Sequence, residues 1–78
     1  MIVTRVKSNY DPKAEEIYTQ ALKEILPGNC KVTVNSYLIE SGDEVDTIFN
    51  IDVLLEGQFY YSSVHSLQEA KKWAINTF

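Results

Sequence analysis

From Ala14 onward the apolar residues Ala14, Ile17, Tyr18, Ala21, Leu22 and Ile25 recur at three- and four-residue spacing, the period of one helical stripe. Asp11-Pro12 opens this helix: aspartate is a favoured N-cap, proline fits the first helical position, and Glu15 and Glu16 follow near the positive end of the dipole. Pro27-Gly28 closes it. The period then changes to two. Over Lys31 to Glu40, Val32, Val34 and Leu38 lie on one side, and Thr33, Asn35, Tyr37 and Ile39 on the other, which predicts a strand.

After a turn at Ser41-Gly42-Asp43, a second strand over Thr47 to Leu55 directs Phe49, Ile51, Val53 and Leu55 inward and Ile48, Asn50, Asp52 and Leu54 outward. Glu56-Gly57 is a short hairpin turn into a third strand, Gln58 to Val64, where Phe59 and Tyr61 share one face and Gln58, Tyr60 and Ser62 the other. The larger pair is expected inside, with Tyr60 outside. Ser66-Leu67-Gln68-Glu69 is a capping box for a last helix that turns Leu67, Ala70, Ala74 and Thr77 or Phe78 to the core, with Trp73 on the flank. The expected architecture is α+β. A helix, a three-stranded antiparallel sheet and a second helix form one domain over residues 1–78, with both helices on one sheet face and an optional extra strand over residues 2–7.

Length limits what this arrangement can bury. A chain of 78 residues hides roughly 60% of its unfolded surface, so the core is small and stability marginal. The single cysteine, Cys30, makes no internal disulfide and suits a reducing cytoplasm. The first ten residues lack the apolar run of a signal peptide, and no stretch has the length of a membrane span, so a soluble chain is expected.

Charge changes the functional picture more. The formal net charge is −4, and from Val32 to Ala70 there is no Lys or Arg, while Glu40, Asp43, Glu44, Asp46, Asp52, Glu56 and Glu69 are acidic. Phosphate binding is disfavoured over that span.

Element order and lengths resemble the double-stranded-RNA-binding domain. That family's Phe-x-Val-x-Val run is matched by Phe49-Asn50-Ile51-Asp52-Val53 and its turn glycine by Gly57. Its helix-opening Ser-Lys-Lys-x-Ala-Lys is matched by Ser66-Leu67-Gln68-Glu69-Ala70-Lys71, with one residue fewer in the preceding loop. The resemblance implies an αβββα fold and duplex-RNA contacts. The chain departs where those contacts are made: the family's Gly-Pro-x-His loop reads Gly42-Asp43-Glu44-Val45, and two helix-start lysines are Leu67 and Gln68. Lys71 and Lys72 remain for an RNA-binding alternative, too few for a mode that rests on phosphate and ribose contacts.

Candidate chemistry is thin. Cys30 and His65 are the one nucleophile and base pair, at a strand start and a helix entry, with no third group to orient them. The acidic set Glu40, Asp43, Glu44 and Asp46 lacks the spacing of a calcium loop and reads as a solvated knob. No catalytic residue, metal or cofactor is expected, and no small-molecule substrate. The outward set Tyr37, Ile39, Ile48, Leu54 and Tyr60 is too apolar for a face left to water, which points to a protein partner, first of all a second copy of the chain as a homodimer. The expected function is a non-catalytic protein-interaction module with a degenerate RNA-binding-domain-like fold. A weak duplex-RNA binder and an acidic inhibitor of a nucleic-acid enzyme, of the kind mobile elements encode, are the alternatives.

Overall fold

A computed structural model describes residues 4–78. Six elements follow in the order β1 (Thr4–Ser8), α1 (Pro12–Ile25), β2 (Lys31–Ser41), β3 (Glu44–Leu55), β4 (Gln58–Val64) and α2 (Leu67–Thr77). The strands form one antiparallel sheet in the order β1-β2-β3-β4. The fold is thus α+β with a four-stranded sheet. The extra N-terminal strand is present from Thr4, pairing with the distal end of β2 from Ser41 to Tyr37; residues 2 and 3 of the expected segment lie outside the described residues.

Local chemistry accounts for the element ends. The Asp11 carboxylate accepts the Ala14 amide at 3.1 Å, and Leu26 leaves the helix in extended conformation before Pro27. Ser66 Oγ accepts the Glu69 amide at 3.2 Å, but the Glu69 carboxylate reaches the His65 amide, at 2.7 Å, one residue earlier than in a regular capping box. The β2–β3 hairpin closes with the two-residue turn Gly42-Asp43, Gly42 having φ 61°, so the ladder runs on to Ser41 and Glu44. The β3–β4 turn has Glu56 and Gly57 both left-handed, φ 51° and 79°, as a type I′ hairpin requires. Glutamate is a poor occupant of that region and asparagine a good one. Glu56→Asn is expected to stabilise the protein by about 0.5–1 kcal/mol, read as a rise in the urea midpoint at unchanged slope.

Both helices pack on one face of the sheet. Leu22, Val53, Ala70 and Ala74 are fully buried there with Ile51, and Tyr18 stacks on Phe49 with ring centroids 4.2 Å apart. Ile17, expected on the α1 stripe, is half exposed because the buried line runs Tyr18, Leu22, Leu26.

One inward assignment is reversed. On β4, Tyr60, Ser62 and Val64 face the helices, opposite Val53, Ile51 and Phe49, while Phe59 and Tyr61 face away. The two-residue turn pairs Leu55 with Gln58 and so carries the inward set of β3 across to the even-numbered residues of β4. Tyr60 is therefore a partly buried flank of the core, meeting the Phe78 ring edge-on at 4.8 Å, and Trp73 also meets Phe78 edge-on, at 5.8 Å.

Candidate interaction surface

The face of the sheet away from the helices is built from register. Leu54 lies between Lys31 and Phe59, Asp52 between Thr33 and Tyr61, and Asn50 between Asn35 and Ser63; nearer the β2–β3 tip, Ile48 opposes Tyr37 and Asp46 opposes Ile39. The polar row is knit together: Ser63 Oγ donates to Asn50 Oδ1 at 2.7 Å, and Asn9 Nδ2 donates to Asn35 Oδ1 at 2.9 Å. It divides the apolar surface in two. Tyr37, Ile39 and Ile48 lie on the tip side, with Val6 of β1 opposite Ile39; Leu54 lies on the other side with Phe59 and Tyr61. Tyr37, Ile39, Ile48 and Leu54 stand on the expected face, and Tyr60 does not.

Phe59 and Tyr61, read from the sequence as inward, are 62% and 70% exposed, their rings nearly parallel at 6.3 Å. They sit on an edge strand. β4 carries no Asp, Glu, Lys, Arg or Pro, whereas the opposite edge, β1, is short and guarded by Arg5 and Lys7.

The acidic residues do not form a loop. Only Asp43 lies in the turn; Glu40, Glu44 and Asp46 are ladder residues, all four exposed. The strands tolerate them because no two carboxylates stand opposite each other: Glu40 faces Val45 and Arg5, Glu44 faces Ser41, and Asp46 faces Ile39. His65 lies beside two carboxylates, Nε2 3.6 Å from Asp46 and Nδ1 3.7 Å from Glu69, contacts that become ion pairs when the imidazole is protonated.

Cys30 precedes the strand end level with Phe59, and His65 follows the far end of β4, six residues or about 20 Å along the sheet. The two are not brought together. Among the described residues no three His, Cys, Asp or Glu side chains gather as metal ligands. No helix among them is long and apolar enough to cross a membrane. Lys71 and Lys72 are exposed on α2. Burial, helped by the nearby Glu69 and Asp11 carboxylates and by Tyr10 once it ionises, raises the pKa of the Tyr18 hydroxyl above its ordinary value, consistent with a packing role.

A polar network missed from the sequence joins α1 to the sheet. Glu15 Oε2 accepts from the Ser36 amide at 2.8 Å, Ser36 Oγ at 2.6 Å and Asn9 Nδ2 at 3.0 Å, while Ser36 Oγ accepts the Asp11 amide at 3.0 Å. Ser36 is wholly buried, and its place in the inward row of β2 was the available signal, since a buried hydroxyl needs partners.

Comparison with known proteins returned no matching family model, no significantly similar curated protein and no significantly similar solved structure.

Proposed function

We propose that the chain is a small non-catalytic protein-interaction module that pairs with a second copy of itself through β4, presenting the bare sheet face to a partner protein. One observation carries the reading: among the described residues β4 is an unpaired edge strand without charge or proline that exposes two large aromatics on an uncovered sheet face. An unguarded edge exposes backbone donors and acceptors to any extended strand, and an antiparallel match of β4 to β4 about a two-fold axis satisfies them by continuing the sheet. The helix, three strands and helix from α1 to α2 fit a degenerate RNA-binding-domain-like fold used for protein contact, in keeping with the reducing cytoplasm that a lone Cys30 suits.

Sedimentation at tens of micromolar is expected to give a dimer that dissociates on dilution; a concentration-independent monomer removes the second copy from the reading. The exposed carboxylates around the β2–β3 tip oppose phosphate, and on α2 the RNA-binding alternative has Lys71 and Lys72. A duplex-RNA gel shift at about 0.15 M salt is expected to show no complex, and micromolar binding abolished by Lys71→Ala would favour RNA instead.

A further inference from the structure

On the outer face a cleft of about 200 Å³ is lined by Lys31, Thr33, Asp52, Leu54 and Phe59. Asp52 lines this cleft as a half-buried residue, and its Oδ1 is covered from solvent and receives no hydrogen bond from any described residue. Thr33 and Tyr61 are its direct cross-strand neighbours, yet neither hydroxyl donates to it, and no described Lys or Arg comes within ion-pair distance. A carboxylate oxygen removed from water without a donor is costly, and folded proteins answer such groups almost without exception.

We propose that this cleft receives one arginine side chain of a partner protein, the Asp52 carboxylate turning about its terminal bond to bring the covered oxygen within reach of the guanidinium, which lies against the Phe59 and Tyr61 rings. The proposal rests on the interaction-module reading and specifies the partner's chemistry. A single carboxylate is too few ligands for a hard cation, which takes six or more oxygens. A guanidinium meets both features of the cleft: its planar fork matches a carboxylate, and its face stacks on aromatic rings, which here stand exposed and nearly parallel. The net charge of −4 draws a basic partner. Lys31 is the opposing element. Its stem walls the cleft while its like charge weakens a bound cation, so removing that charge should tighten binding.

The test is an amide chemical-shift titration of the full chain with N-acetyl-arginine amide, against N-acetyl-lysine amide at matched ionic strength. Saturable shifts at Thr33, Asp52, Leu54 and Phe59 are expected, stronger for the arginine probe. Affinity should fall about tenfold or more in Asp52→Asn, fall in Phe59→Ala, whose exposed site leaves the fold intact, and rise in Lys31→Met. Equal responses to both probes, shifts confined to Asp43 and Glu44, or full binding by folded Asp52→Asn or by Phe59→Ala would overturn the receptor. Sedimentation of the same samples separates the two readings: a dimer without saturable arginine binding overturns the receptor alone, and Asp52-dependent binding by a monomer supports it while removing the second copy.

Discussion

Tyr61→Lys is expected to convert the dimer to monomer with the fold intact, while Tyr60→Lys, one residue away, is expected to cost about 2–4 kcal/mol of stability. Tyr61 is 70% exposed on the outer face, so an ammonium there stays in water in the monomer and meets its symmetry mate's charge or apolar surface only on pairing. Tyr60 stands opposite the fully buried Val53 and edge-on to Phe78. Lysine at that position loses the ring contact and leaves the Phe78–Trp73 pair without its third member. For a domain of this size, with stability near the low end of about 5–15 kcal/mol, that loss takes a large share of the total. Urea unfolding followed by circular dichroism, with sedimentation on the same variants, reads both effects. A stable monomeric Tyr60→Lys beside an unfolded Tyr61→Lys would mean that β4 faces the other way.

This pair of substitutions also marks where the sequence was legible. The helix starts at Asp11-Pro12 and Ser66, the end at Pro27, and the inward rows of β2 and β3 follow from caps and periodicity, because each is decided within a few residues. The face of β4 is decided by the turn. Glu56-Gly57 is recognisable as a two-residue hairpin, and carrying Leu55 across it already places Gln58, Tyr60 and Ser62 inward. The greater apolar bulk of Phe59 and Tyr61 pointed the other way, a weak guide on an edge strand where one face lies bare. The acidic segment misled for a related reason: four carboxylates in seven residues suggest a solvated loop, but backbone pairing continues past charged side chains when none opposes its like. The cleft at Asp52 was not legible at all. It depends on which side chains the register sets beside that carboxylate, and a single aspartate in an outward row gives no sign that one of its oxygens is covered.

Ser36→Ala and Glu15→Gln are each expected to cost about 1–3 kcal/mol at neutral pH, and the double variant less than the sum. Ser36 Oγ both donates to Glu15 and accepts the Asp11 amide, so its loss leaves a backbone donor at the α1 cap unanswered and removes one of three donors from the carboxylate. The two side chains share one network, and neighbours of this kind do not add. The pH dependence follows from the same contacts. Desolvation raises the Glu15 pKa, but the Ser36 hydroxyl, Asn9 and the Ser36 amide together outweigh it and hold the group below its ordinary 4.5. A carboxyl group depressed in the folded state stabilises the fold above its unfolded pKa and loses that contribution as pH falls through the folded value. Stability of the natural chain should therefore decline from about pH 5 downward, and part of that decline should be missing in Glu15→Gln, which carries no titrating group at this site. Thermal midpoints measured from pH 7 to pH 3 would show it: the two curves should converge as the medium becomes acidic, because protonation removes from the natural chain the same charge that the substitution removes. Curves that stay parallel over the whole range would mean that Glu15 holds α1 to the sheet by hydrogen bonding alone, with its charge contributing nothing.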